Sequence, residues 1–234
     1  EGVKVLLQWM DEVEVITAQG WSLLGQAYFQ LGTDKKSESE KLDYYEKALD
    51  SMLSAVRTAE LEEYKPKENW YVLMAACYSE LSSRIGKEEA LYKQLDIYEI
   101  LVNLYPKKMY FIQLGGIYGQ LDRELDYMIT LNAAYQKDLL DKESEYLALT
   151  QLLLLNNNPY WAAKVLEAGR IKKVPVIDEK TKEEKILPVV KDNEKNLKLL
   201  ADAWRMAQEI ELAIPIMEKA ARLAKDGQTF IILG

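Results

Sequence analysis

The stretch that decides the fold is Lys195–Ala220, KNLKLLADAWRMAQEIELAIPIMEKA. Its first half carries four packing residues at spacings that place them on one face of a helix: Leu197, Leu200, Ala201 and Trp204. After a short break at 209–211, three more apolar residues share a second helical face: Ala213, Met217 and Ala220. Large and small residues alternate on both faces, so the pattern predicts two antiparallel helices that pack closely against each other.

The first-helix pattern recurs four more times along the chain. Its four positions hold, in order, a large aromatic residue, then Leu or Met, then a small residue, and usually another aromatic. The recurrences are Trp21, Leu24, Gly25, Tyr28; Tyr71, Met74, Ala75, Tyr78; Phe111, Leu114, Gly115, Tyr118; and Tyr146, Leu149, Thr150, Leu153. Each is followed by a second helical pattern, clearest in Ala48, Met52, Ala55 and in Ala162, Leu166, Gly169. A helix-turn-helix unit with this order and a period of about 34 residues is typical of tetratricopeptide (TPR) repeats.

We therefore predict an all-α fold, a TPR right-handed superhelical α-solenoid of about 11 helices that forms a single array over residues 1–234. The array is expected to be a piece of a longer one, with raw edges in place of polar capping repeats. Its predicted segments are 1–16 (a second helix only), 17–66, 67–106, 107–141, 142–170, an insertion at 171–192, 193–226, and the start of a further repeat at 227–234.

Two segments depart from the repeat. The charged stretch 32–41 adds about 11 residues and reads either as a loose loop or as extra helical turns. Apolar residues continue at spacings of three and four from Leu42 to Ala59, so we favour one lengthened helix from about Ser37 to Glu63.

The second departure is the insertion at 171–192, IKKVPVIDEKTKEEKILPVVKD. Two short β-branched runs flank a polar centre, which predicts a small β-hairpin at 173–190. Pro175 and Pro188 exclude both runs from the centre of a larger sheet. The apolar side chains of the hairpin are expected to need cover from a helix or a partner, and a disordered loop is the alternative.

Composition excludes several classes of function. The net charge of −8 argues against nucleic acid as the partner, since phosphate binding needs a basic face. The chain has no histidine and a single cysteine, Cys77, which its apolar neighbours mark as a packing residue. No apolar run approaches the length of a membrane span. We therefore expect a protein that is not an enzyme, with no cofactor, no metal and no membrane insertion.

The first helices of such an array line its concave side, and residues beside the packing signature point into the groove. This reasoning predicts a protein-binding groove at Gln26, Phe29, Val72, Ile112, Gln113, Gly116, Gln120, Leu147, Gln151, Lys198, Asp202 and Arg205. Amides pair with the backbone of an extended peptide, apolar groups bury its anchors, and a glycine such as Gly116 leaves room for the chain. The convex face and the hairpin remain alternative binding surfaces.

The order of the repeats resembles a family of periplasmic TPR proteins of Gram-negative bacteria that accompany TonB, ExbB and ExbD. The likeness is carried by KENWYVLMAACYSEL (67–81), LYPKKMYFIQLGGIYGQL (104–121), KESEYLALTQLLLL (142–155), PYWAAKVLEAG (159–169) and the stretch 195–220. The junctions PKENW and LYPKK are not part of the general repeat pattern. The resemblance implies a periplasmic scaffold that assists TonB-dependent energy transduction or uptake, with a TonB-system component as its partner. The alternative is a generic TPR adaptor or assembly factor, in the periplasm or the cytoplasm.

The packing signature makes a direct prediction about stability. Replacing a small signature residue by a large one, as in Ala201→Trp or Gly115→Leu, should lower the melting temperature, because overpacking a tight contact costs about 1–3 kcal/mol or more. Thermal unfolding of each variant beside the wild type measures the effect. Unchanged melting would mean that the repeat register is wrong.

Overall fold

The computed structural model describes residues 2–177 and 182–224, which form twelve helices and two strands. The elements are α1 Gly2–Glu12, α2 Ala18–Thr33, α3 Glu38–Leu61, α4 Glu68–Glu80, α5 Ser82–Ile85, α6 Lys87–Leu104, α7 Lys108–Gln120, α8 Glu124–Gln136, α9 Glu143–Leu155, α10 Pro159–Ile171, β1 Lys173–Ile177, β2 Glu184–Pro188, α11 Glu194–Met206 and α12 Ile210–Leu223. The predicted start of a further repeat at 227–234 lies outside the described residues.

The chain divides into two compact units, residues 1–122 and residues 123–234. In the first unit, consecutive long helices pack on one another from α1 to α4, then α4 on α6 and α6 on α7. In the second unit the same holds from α8 to α12, with the two strands inserted between α10 and α11. The predicted all-α repeat fold with a small β-hairpin is confirmed. The continuity of one array across both units stays a prediction.

Close packing at small residues holds the pairs of helices in the first unit. A Cβ on Gly25 of α2 would lie 2.9 Å from Cε of Met52 and 3.0 Å from the carbonyl oxygen of Ala48, both on α3. Met52 and Ala48 are fully buried. The residues that the periodicity identified are therefore the residues at which the two backbones approach each other.

The charged stretch at 32–41 extends the helices on either side of it. Helix α2 runs on to Thr33 and α3 begins at Glu38 and spans 24 residues, so the lengthened helix is confirmed and the loose loop is wrong. Leu42 and Tyr45, from the first turns of α3, pack with Leu81 in a small buried cluster. Arg84 of α5 clamps the outer side of α3, with ion pairs of 2.9 Å to Asp43 and 2.8 Å to Glu46.

Several helices are followed by a residue in the left-handed backbone conformation, and none of these residues is glycine. Glu63, Asp138, Asn157 and Gln208 have φ between 54° and 64°, each two residues after a helix. The N–H of the next residue closes the helix end in each case, as from Tyr64 to Ala59 at 3.0 Å. Such closures satisfy carbonyl groups that a helix end leaves without partners.

Residues 195–220 contribute most of the helices α11 and α12 to the core of the second unit. The first-helix residues of this stretch are fully buried on α11, and its second-helix residues are buried on α12: Leu197, Leu200, Ala201, Trp204; Ala213, Met217, Ala220. The Trp204 indole packs edge-on against the Tyr160 ring at 5.5 Å, and its Nε1 donates to Oε1 of Glu167 at 3.3 Å. Trp204 thus joins α11 to α10.

The predicted β-hairpin is present, with β1 antiparallel to β2 and Val174 opposite Leu187. Helix α10 covers only its base: the Val190 N–H donates to the Gly169 carbonyl at 2.9 Å, and the Val190 side chain is fully buried. Farther out, Ile177 and Ile186 are 66% and 70% exposed, so the cover expected for the apolar arms is absent from the described residues. The last residues of the insertion therefore belong to the core of this unit.

An ion-pair cluster locks the base of the hairpin to two helices. The Arg170 guanidinium donates to both carboxylate oxygens of Asp192, at 2.6 and 3.1 Å, and Lys219 of α12 pairs with the same carboxylate. The hydrogen bond from Arg170 is the largest cause that lowers the pKa of Asp192, and together with Lys219 it brings that pKa to about 2.

The lowered pKa of Asp192 predicts a pH dependence of stability. The ionised carboxylate stabilises the fold above its unfolded pKa, near 3.8, and this contribution is lost as the pH falls from there towards 2. Asp192→Asn should therefore lower the urea midpoint at pH 7, and the difference from the wild type should shrink below pH 4. Asp96→Asn, at an exposed carboxylate with no ion pair among the described residues, is the control. An equal loss at pH 3 and pH 7 would contradict the assignment.

Candidate functional site

Contacts between the two junctions that carry the family resemblance set the positions of α4 and α7. The Tyr105 hydroxyl donates to the Pro66 carbonyl, and the Glu68 carboxylate accepts from Lys107 at 2.7 Å and from the Tyr110 hydroxyl. The hydrogen bonds from Lys107 and Tyr110 lower the pKa of Glu68, while burial and Glu68 raise the pKa of Tyr110 to about 12. These backbone and charged contacts hold the N-terminal ends of α4 and α7 next to each other.

A cleft of about 230 Å³ opens between these helices, and we call it the α4–α7 cleft. Helix α6 forms its floor, while α5 and the end of α4 face α7 across it. Its lining is Ser79, Ser82, Lys87, Ala90, Leu91, Gln94, Gln113, Gly116, Ile117 and Gln120. Lys87 is the one charged residue among them, so the cleft is amide-rich and nearly neutral inside a chain of net charge −8.

The glutamines of this cleft have unused hydrogen-bonding capacity. Gln94 and Gln120 each donate to a carbonyl of their own helix, at 3.2 and 3.3 Å, which leaves their side-chain oxygens available. The Gln113 amide makes no hydrogen bond among the described residues. An amide offers both donors and an acceptor, which is what an extended peptide backbone requires. Leu91 of α6 and Ile117 of α7 add apolar surface that suits an apolar side chain of such a peptide.

Gly116 stands in the wall of the cleft for no reason of packing. It lies in the middle of α7, it is exposed, and a Cβ placed on it would have no atom within 4 Å. Glycine inside a helix costs about 0.5–1 kcal/mol relative to alanine. The open space beside it allows another chain to approach the backbone of α7 closely.

A second pocket continues the cleft past Gln120, and we call it the acidic pocket. It measures about 390 Å³ and shares Lys87, Leu91 and Gln120 with the α4–α7 cleft. The residues that it adds are Glu88, Tyr92, Leu121 and Asp122. Two carboxylates against one lysine give this end of the groove a net negative charge.

The second unit has a separate cleft of about 490 Å³ between α9 and α11. Four of its six lining residues are charged: Gln151, Glu194, Lys195, Lys198, Leu199 and Asp202 line it. Asp202 pairs with Arg205 on its own helix at 3.1 Å. This α9–α11 cleft therefore differs in chemistry from the neutral cleft of the first unit.

The structure places six of the twelve predicted groove residues in these clefts. Gln113, Gly116 and Gln120 meet in the first, and Gln151, Lys198 and Asp202 in the second. Phe29 instead packs against Tyr45 in the small cluster below α3, with ring centroids 5.1 Å apart. The remaining five line neither cleft: Gln26, Val72, Ile112, Leu147 and Arg205. A binding role for all twelve stays a prediction.

Sequence reasoning missed the floor of the first cleft because it considered only first helices. Lys87, Ala90, Leu91 and Gln94 all come from α6, a second helix. Their spacing of three, one and three is the signal that places them on one face. Ser79 lies at the end of α4 and Ser82 begins α5; both follow the packing signature, where the repeat pattern assigns no role.

Other chemistry is sparse in the part of the chain that the structure describes. Cys77 is buried, and burial raises the pKa of its thiol to about 12, which fits the packing role predicted for it. Within residues 2–177 and 182–224, no three Cys, Asp or Glu side chains gather as a metal site would require. None of the described helices has the length and apolar character needed to cross a membrane.

Comparison with known proteins gives only distant structural similarity. No family model matches the chain, and no curated protein matches it. Among solved structures, YrrB, described as a TPR protein with an unusual peptide-binding site, is similar over 98% of this chain and 97% of its own, with 13% identity and a TM-score of 0.47. MamA covers 85% and 90%, with 12% identity and a TM-score of 0.45. TTC0263, a TPR protein of Thermus thermophilus, covers 89% and 96%, with 15% identity and a TM-score of 0.35.

Two glycines on equivalent helical backbones predict opposite effects of the same substitution. Gly169→Ala should destabilise the protein by about 1–3 kcal/mol, because the new Cβ would lie 2.6 Å from Val190 Cγ2 and 2.7 Å from Tyr146 Cδ1. Gly116→Ala should stabilise it by about 0.5–1 kcal/mol, because it meets open space and favours the helix. Urea unfolding of both variants measures the pair. A loss of stability in Gly116→Ala would show that the glycine has a packing role after all.

Proposed function

We propose that this chain is a TPR-type, non-enzymatic scaffold that binds an extended segment of a partner protein in the α4–α7 cleft. The observation that carries the proposal is the meeting of Gln94, Gln113 and Gln120 around the exposed backbone of Gly116. Three amides with unused hydrogen-bonding capacity, apolar surface and a bare stretch of helix match the needs of a peptide main chain.

The cleft does not favour a carboxylate tail as the ligand. A free C-terminus is held by several cations or by backbone amides that converge on it. Lys87 is the only cation in this lining, and Glu88 stands beside it in the neighbouring pocket. A segment from within a partner chain, whose backbone is neutral, suits the amides better.

We further propose that the scaffold acts in the periplasm and that its partner belongs to a TonB system. The PKENW and LYPKK junctions support this, since they carry the family resemblance and also join the N-terminal ends of α4 and α7. The role assigned by this proposal is assistance in TonB-dependent energy transduction or uptake. A generic TPR adaptor with another partner is the alternative.

Site-directed photo-crosslinking in the source cells tests both parts of the proposal, the cleft as the binding site and the TonB system as the source of the partner. A photoreactive residue at Gln113, which faces the cleft, should capture a partner protein. Mass spectrometry of the cross-linked peptide then identifies that partner. The same residue at Gln136, exposed on α8, is the matched control. Adding Gln94→Ala, or competing with a synthetic copy of the captured segment, should abolish the capture.

The outcomes distinguish the binding site from the identity of the partner. Equal capture from Gln113 and Gln136, or capture that the synthetic segment does not compete with, would exclude the cleft as the binding site. Competed capture of a protein outside any TonB system would keep the scaffold and overturn the TonB assignment. Capture of a TonB-system component would support both.

A further inference from the structure

We infer that the α4–α7 cleft and the acidic pocket bind one continuous segment, whose uncharged residues lie in the cleft and whose next residue is Arg or Lys. The inference rests on the proposed function and names the sequence class of the partner. It follows from a change in charge along the groove. The cleft has no carboxylate in its lining, whereas the pocket adds Glu88 and Asp122.

The acidic pocket has the chemistry that recognises a side-chain cation. Tyr92 lines this pocket and is 44% exposed, so its side chain is accessible to a ligand there. Neither Glu88 nor Asp122 forms an ion pair among the described residues. Exposed aromatic rings attract cations, and carboxylates bind guanidinium in paired hydrogen bonds. Arg is therefore expected to bind better than Lys.

Lys87 does not reverse this preference. It lies in the wall shared by the cleft and the pocket, where its ammonium is able to donate to a main-chain carbonyl of the bound segment. With Lys87 counted, the pocket keeps one net negative charge. A Glu in the segment at this position would face two carboxylates, which is an unfavourable pairing.

Continuity of the two spaces sets the spacing of the recognised residues. Gln120 lies in both linings, and Gln113 and Gly116 precede it on α7. The rise from Gln113 to Gln120 is about 10 Å along a helix, which an extended chain covers in about three residues. The expected partner segment thus has about three uncharged residues followed by a basic one, with its main chain closest to α7 at Gly116.

Retention of defined peptide pools on the 234-residue chain tests the inference. The pools are acetylated octapeptides in which uncharged residues are randomised and one central position is fixed as Arg, Gln or Glu. The immobilised protein should retain the Arg pool at least about tenfold more than the Glu pool at low salt, with Gln between them, and added salt should reduce the difference. Sequencing of the retained peptides reports the preferred spacing.

Variants assign the preference to residues. Glu88→Gln with Asp122→Asn should remove the preference for Arg over Gln, whereas Asp96→Asn, outside the pocket, should leave that preference unchanged. Gly116→Ala should lower retention of every pool while its urea midpoint rises, a combination that a general folding defect does not produce.

Three results would overturn the inference, and they have different meanings for the cleft. Retention of the three pools to equal extents, reduced by Gly116→Ala, would overturn the inference and keep the peptide cleft. No retention of any pool by the folded protein would overturn the cleft itself as a site for extended peptides, and the inference with it. An Arg preference that survives Glu88→Gln with Asp122→Asn would also overturn the inference.

Discussion

The close approach of paired helices at small residues is the constraint on which the rest of each unit depends. Gly25 brings the backbone of α2 against Met52 and Ala48 of α3, and Gly169 brings α10 against Tyr146 of α9 and Val190 after the hairpin. At both glycines an added Cβ would lie within 3 Å of a neighbouring atom, which is closer than Cβ atoms pack in proteins. Tight pairs of this kind bury the large residues between them and leave the outer helix faces for other roles.

Additions to the repeat are tolerated where they provide their own packing. The extra turns of α3 bury Leu42 and Tyr45 on Leu81, so the lengthened helix covers a small core of its own. The hairpin is joined to α10 by buried Val190 and by the Arg170–Asp192 pair, while its strands stay exposed. Both additions extend a unit without changing the contacts at its small residues.

The same residue type serves opposite purposes in this chain. Gly169 is a packing glycine, because neighbouring side chains occupy the space that a Cβ would take. Gly116 has open space in the same position and lies among amides that have spare donors and acceptors. A glycine inside a helix lowers the stability of that helix. Where no packing contact requires the glycine, a functional role is the expected reason for its presence. The repeat pattern already separated the two cases, since it placed Gly169 in the packing signature and Gly116 beside it.

The sequence by itself determined the helices, the lengthened α3, the hairpin and the buried signature residues, because each leaves a periodic or local pattern that needs no knowledge of distant partners. It also indicated Gln113, Gly116 and Gln120 as groove residues. Only the tertiary structure decided that α6 supplies the floor beneath them and that Phe29 packs against Tyr45. It alone showed that Val190 is core and that left-handed ends occur at Glu63, Asp138, Asn157 and Gln208 without glycine. These features depend on which residues distant in sequence come together, and that information is not contained in the spacing along one helix.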